Sequence, residues 1–311
     1  MNRDPKDWPL PVCALPEPTV QETAPLRRAV RATALTLLSY GARLTGKMRA
    51  GLQRPRVQFL MLHHVFRDEE QGFHQLLERL ARHVNFISYS QAVQRVLDGA
   101  IDKPYAAISF DDGLASCSLA ARILRDMGIS ACFFVCPSMI GQTDPAIMTA
   151  FCRDRLTMLN ACGFLGWDDL ERMAAAGHEI GAHSMTHANL ATLDKSAMEQ
   201  EIGRGYDILR QRFGPALHFA WPLGHWNQFT PEARDFAFAT GFKSCASAQR
   251  GCHVAGAGPI DPRQLCVRRD LARCKSPVSE VLYFMSKNAA AASPHNNKWP
   301  PEYATASSAS I

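Results

Sequence analysis

No apolar stretch of this 311-residue chain is long enough to cross a bilayer; the run from Ala29 to Leu44 comes nearest, and Arg31 and Arg43 break it. No secretory leader is expected either, because the first twenty residues carry acids and prolines instead of a basic start and an apolar core. The ten cysteines contain no Cys-x-x-Cys spacing, which argues against a structural zinc knot. They are scattered, and several, such as Cys132 and Cys136, sit in apolar strand-like segments. They therefore read as buried thiols of a reducing compartment, and the expected location is the cytoplasm.

Charge is unevenly placed. The whole chain carries +5, whereas residues 1–56 hold ten Lys/Arg against four Asp/Glu, an excess of six. The remainder is thus close to neutral, at −1, and no nucleic-acid motif appears, so no nucleic-acid partner is expected. Pro5, Pro9, Pro11, Pro16 and Pro18 make the start an extended leader. Residues 26–52 form a basic amphipathic helix with two readings: it lies on the inner, anionic face of a membrane, or it packs on the main body with its arginines in water. The stretch from Ala289 onward, rich in Ala, Ser, Pro and Asn, is expected to be a disordered tail. The implied division is a basic extension over 1–52, a catalytic domain over 53–275, and a C-terminal helix with its tail over 276–311.

With 47% hydrophobic residues, the chain can bury one large core. Strand-like segments at Val57–Leu62, Val84–Tyr89, Tyr105–Phe110, Ala131–Val135, His178–Ala182, Leu217–Trp221 and Phe242–Ala246 alternate with helical ones. The helices are expected at Gly72–Arg82, Ser90–Leu97, Leu114–Met127, Trp167–Ala176, Asp194–Phe213 and Pro231–Thr240. Such alternation predicts a parallel α/β sheet, closed as a barrel or open and doubly wound. Residues 141–166 interrupt it with a helix over Met148–Leu159, whose apolar contacts are Phe151, Leu156 and Leu159. That insertion either covers the site mouth or covers the barrel wall.

Two clusters carry chemistry. Ile108-Ser109-Phe110-Asp111-Asp112-Gly113 ends a strand on adjacent carboxylates, one free to bind a cation while the other faces a reacting water. About seventy residues later, His183-Ser184-Met185-Thr186-His187 places two imidazoles at a spacing that can share one metal, on a loop leaving a strand. Together they describe a metal site with three protein ligands and a separate base. Either cluster alone reads as an Asp-Gly turn or a solvated histidine pair.

From Arg56 to about Leu271 the sequence resembles the polysaccharide deacetylase family, carbohydrate esterase family 4, with its NodB-type homology domain. Ser109-Phe110-Asp111-Asp112-Gly113 and His178-Glu179-Ile180-Gly181-Ala182-His183-Ser184-Met185-Thr186-His187 carry the resemblance. It implies an irregular, incomplete (β/α) barrel and a metal-dependent amidase that removes N-acetyl groups from an amino sugar, polysaccharide or glycoconjugate. Asp112, His183 and His187 would hold a divalent ion, with Zn2+ the first expectation and other divalent ions left open. Asp111 would be the base. Leu60-Met61-Leu62-His63-His64-Val65 resembles the first strand of the branch that acts on poly-N-acetylglucosamine.

Two pieces of the family pattern depart. The Arg-x-Pro-Tyr motif corresponds to Ala220-Trp221-Pro222-Leu223, lacking the arginine that partners the base and the tyrosine. The late Leu-x-x-His is missing as well. Leu223 can still offer its backbone N–H to an oxyanion. Arg268 or Arg269 is the substitute partner for the base, and His63, with His64 behind it, the substitute acid. Trp221, Pro222, His225 and Trp226 are candidates for a sugar-facing wall, Trp226 equally for a core plug. The substrate would be an N-acetylated carbohydrate or a lipid-linked sugar. The departures keep a second reading open, a non-catalytic carbohydrate-binding or regulatory protein on the same fold.

Overall fold

The computed structural model describes residues 25–158, 160–215 and 217–303; the proline-rich leader and Leu159 lie outside them. Parallel strands β1 (Arg56–Leu62), β3 (Pro104–Phe110), β4 (Ala131–Val135), β5 (Glu179–Ala182), β6 (Phe219–Ala220) and β7 (Cys245–Ala246) follow one another around a ring. A short β2 (Asn85–Phe86) pairs Tyr105 and Ala106, below the part of β3 that β4 pairs. The ends of the sheet meet on one run of chain: β8 (Cys266–Val267) pairs β7, and β9 (Arg269–Leu271) pairs β1, with Arg268 alone between them. The result is a nearly closed parallel barrel, not an open doubly wound sheet. These last two strands had no counterpart among the predicted ones, being only two and three residues long.

Both faces of the barrel strands are covered, which is why they read as continuous apolar runs. All seven residues of β1 are buried. One phase, with Val57, Phe59, Tyr105, Ala107, Cys132, Phe134, Ala220, Ala246 and Val267, packs in the barrel interior around Tyr89 of α4 (Tyr89–Asp98). The other phase, with Leu60, Leu62, Ile108, Phe110, Phe133, Ile180 and Phe219, meets the outer helices. Those helices are α3 (Glu70–Ala81), α5 (Cys117–Asp126), α7 (Trp167–Ala175), α8 (Lys195–Phe213) and α9 (Pro231–Thr240). Two of them begin on side-chain caps: Asp194 accepts from the Ala197 N–H and Thr230 from that of Ala233. The insertion forms α6 (Pro145–Asp154), shorter than the predicted Met148–Leu159 and shifted toward its N-terminus.

The basic segment is two helices, α1 (Pro25–Leu44) and α2 (Lys47–Gln53), separated at Gly46, whose φ of 72° ends the first. Met48 and Leu52 enter the same core as Val281, Leu282 and Met285 of α10 (Val278–Ala291). The expected disorder from Ala289 does not hold as far as Tyr303. Ala289, Asn297 and Tyr303 are buried, and the Tyr303 hydroxyl donates to the carbonyls of Trp226 and Phe229. The composition of this tail hides two aromatics, Trp299 and Tyr303, that complete a stack begun by Trp221.

The same tail fixes His253. This fully buried imidazole accepts from the Arg268 N–H at Nε2 and meets Asn297 Oδ1 at Nδ1, so its neutral form satisfies both nitrogens. Burial, then the Arg268 charge, pushes its pKa down to about 4. Unfolded, the ring titrates near 6.5, so between these values the unfolded chain binds one proton more and stability falls as pH falls. The expected loss from His253 is about 3 kcal/mol over the whole interval. Denaturant unfolding from pH 7 to pH 4 should show it, and His253→Asn should flatten the slope by roughly 1.4 kcal/mol per pH unit. Identical slopes for the two proteins would exclude this coupling.

Candidate active site

Strand phase decides which side chains reach the upper mouth of the barrel. Continuing the interior phase of β1 beyond Met61 leads to His63, that of β3 through Ser109 to Asp111, that of β5 through Gly181 to His183, and that of β8 through Val267 to Arg269. These residues share one cleft with Asp112, His187, Trp221 and Leu223. Asp112 has the opposite phase and would leave the interior in a regular strand. Its φ of 75°, followed by Gly113 at 73°, turns it back. His187 (55°) and Leu223 (65°) also sit in the left-handed region, so three non-glycine residues of the cleft hold sparsely populated backbone, a cost of order 1–3 kcal/mol each.

Asp112 Oδ1 lies 3.4 Å from Nε2 of both His183 and His187, and all three residues are buried. That separation is too long for a strong hydrogen bond. It matches the roughly 3.3–3.4 Å between ligands that each lie about 2.0–2.1 Å from one tetrahedral ion. His183 Nδ1 meets the Ala220 carbonyl at 2.7 Å, which assigns the proton to Nδ1 and leaves the Nε2 lone pair toward Asp112. A carboxylate and two imidazoles on so short a baseline fit a divalent ion.

Beside them, Asp111 makes a two-pronged pair with Arg269, at 2.7 Å from Nη1 to Oδ1 and 2.8 Å from Nη2 to Oδ2. Burial pushes the Asp111 carboxyl up, but Arg269 and then His183 outweigh it and leave the pKa below the ordinary value. Arg268, of the other phase, points outward: its Nε donates to the Asn296 carbonyl and its guanidinium lies 5.4 Å from the Trp226 ring. Of the two arginines singled out from the sequence, only Arg269 reaches the carboxylate.

His63 is half-buried in the cleft, whereas His64 turns to Glu69 at 3.1 Å and stacks on Phe66. Burial lowers the His63 pKa against the pull of Asp112 and Asp111. Leu223 is 40% exposed, and its N–H meets no backbone acceptor among the described residues. Gly224 follows at φ 70°, where a Cβ would lie 2.3 Å from Ala248 Cβ, so the turn that presents this N–H requires glycine.

The sugar-facing wall needs correction. Trp221 has the outward phase, is 0% exposed, stacks 4.6 Å from Phe229 and donates its Nε1–H to the His225 carbonyl. It borders the cleft yet is wholly buried, so it offers a sugar no exposed face. Trp226 packs among Trp221, Trp299 and Tyr303 as a plug, Pro222 is buried, and His225 is exposed beside Gln249. Met61, Arg155, Leu156 and Ala248 line the cleft instead. Arg155 and Leu156 come from the insertion, whose position over the mouth was one of its two readings; nothing in the local pattern marked Arg155.

Comparison with known proteins agrees with this geometry. A family profile described as polysaccharide deacetylase matches residues 98–241, a span that holds the Asp-Asp-Gly together with His183 and His187. Over that span the chain resembles the polysaccharide deacetylase family. The fold is shared with IcaB from Ammonifex degensii, at 20% identity and a TM-score of 0.57, over 75% of this chain and 98% of that one. The deacetylase PplD from Streptococcus pyogenes, solved with acetate, gives 16% identity and 0.57, over 75% and 99%. The BpsB deacetylase domain from Bordetella bronchiseptica gives 17% and 0.50, over 71% and 96%.

Proposed function

We propose that this protein is a metal-dependent hydrolase that removes acetyl groups from the nitrogen of an amino sugar within a polysaccharide or glycoconjugate. The observation that carries the reading is the Asp112–His183–His187 cluster sharing one cleft with the Asp111–Arg269 pair. A divalent ion bound by that cluster would supply Lewis-acid polarisation of the amide and a water of lowered pKa. Asp111, kept ionised by Arg269, accepts the proton of the attacking water. The Leu223 N–H donates to the oxygen that becomes negative as the acetyl carbon turns tetrahedral. His63 protonates the departing amine, and its depressed pKa makes the protonated ring the stronger acid.

The test is acetate release from N-acetylglucosamine oligomers of increasing length by zinc-loaded protein, with a chelated control. Full metal content without acetate release from any of them would instead favour the non-catalytic carbohydrate-binding reading, which the missing family arginine and late histidine motivate. If the reading holds, His63→Ala should slow release by roughly a hundred- to ten-thousandfold with metal retained, the usual range for one acid–base group. His64→Ala should be mild, because that ring already faces Glu69. Near wild-type rates for His63→Ala would remove His63 from the mechanism.

A further inference from the structure

Large exposed apolar side chains are few among the described residues, and four of the six, Leu37, Leu38, Tyr40 and Leu44, lie on α1. At 100° per residue, Leu37, Tyr40 and Leu44 fall within about 60° of one another and form one stripe, while Leu38 lies about 100° to the side of Leu37. The opposite face is the one that packs: Ser39 is buried with its hydroxyl toward the Ser279 carbonyl, and Ala42 meets the core. The helix is thus held to the body by one side and offers Leu37, Tyr40 and Leu44 on the other, at 62–71% exposure. Polar surface helices do not carry such a stripe without something to cover it.

Charge identifies the cover. From Thr23 to Arg67 the chain contains no Asp or Glu, while Arg27, Arg28, Arg31, Arg43, Lys47 and Arg49 fall within it. Where α1 ends, a cleft is lined by Arg43, Arg49, Arg82 and His83 over Met48 and Leu52, and no carboxylate is among its lining residues. It sits beside Pro104, where β3 starts, at the end of the barrel opposite Asp111.

We propose that α1 is a peripheral docking element for an anionic lipid bilayer, its leucine stripe entering the acyl boundary and the Arg43–Arg49–Arg82 cleft receiving lipid phosphates. A second protein chain would need acidic groups opposite all of these cations, whereas an anionic bilayer presents phosphates at any register. Apolar burial and electrostatic attraction then add, as in other interfacial helices. Because the cleft lies at the foot of the barrel, docking would leave the catalytic mouth facing away from the membrane, toward a polymer approaching from solution.

The full chain should co-sediment with vesicles of phosphatidylglycerol and phosphatidylcholine and not with pure phosphatidylcholine. The triple variant Leu37→Ser, Tyr40→Ser, Leu44→Ser and the double variant Arg43→Glu, Arg49→Glu should each weaken partitioning at least tenfold. Since these side chains are exposed, circular dichroism should be unchanged. Wild-type partitioning by both variants would overturn the proposal, as would absence of binding by the parent protein. A parent dimer that the serine variant converts to a monomer would also overturn it, assigning the stripe to a second copy of the chain.

Discussion

Alanine at Asp112, His183 or His187 should each empty the site of its divalent ion and abolish acetate release. Each removes one of three protein ligands, and the Lewis-acid contribution lost is several kcal/mol, on the order of a thousandfold or more in rate. Asp112→Ala should keep the fold best because it removes the buried carboxylate itself, whereas each histidine variant leaves Asp112 buried with one imidazole fewer. Asp112→Ala removes the carboxylate that faces both imidazoles, and each histidine variant removes one of those imidazoles. Loss of His183 also frees the Ala220 carbonyl, so that variant is expected to be the least stable of the three. Elemental analysis of the purified proteins, beside their activity, checks the assignment. Full metal content in all three would show that the cluster is not the metal site.

Much of the fold and the pairing of Asp112 with His183 and His187 can be read from residue order, because apolar runs bounded by turns mark each barrel strand and the two motifs end on their side chains. What the eye misses is phase. Alternation along a strand puts Ala220 inside and Trp221 outside, Val267 and Arg269 inside and Arg268 outside, His63 inside and His64 outside. Choosing a tryptophan for its ring, or leaving two adjacent arginines undecided, ignores a rule that the flanking residues already obey. Three other features are beyond that rule. The left-handed backbone at Asp112 reverses its phase, and no residue type announces it. Strands β8 and β9 are so short that only closure of the ring defines them. The tail is ordered by two aromatics meeting a stack far away in sequence, which its Ala- and Ser-rich composition conceals.

Arg269 pairs with Asp111 through two hydrogen bonds, and its removal should show itself in the pH profile before anything else. Burial alone would raise the Asp111 carboxyl, and the paired guanidinium, fully buried itself, holds it down. In Arg269→Gln the opposing pull is lost, so the carboxyl rises by about one to three pH units, the range for one close opposite charge. The base is then protonated over a wider interval, and the acid limb of the rate profile moves to higher pH by the same amount. Asp111→Asn is the complementary case: the amide keeps the shape but accepts no proton at neutral pH, so turnover should fall by roughly a hundred- to ten-thousandfold at every pH while the ion stays bound. Both variants leave a buried charge unpaired and should be less stable by about 3–5 kcal/mol, so rates must be taken below their lowered melting points. A purely structural Arg269 would cost stability in the same way yet leave the acid limb where it was. An unshifted limb in Arg269→Gln, measured on folded protein, would therefore remove Arg269 from the chemistry and keep it only as a partner of the fold.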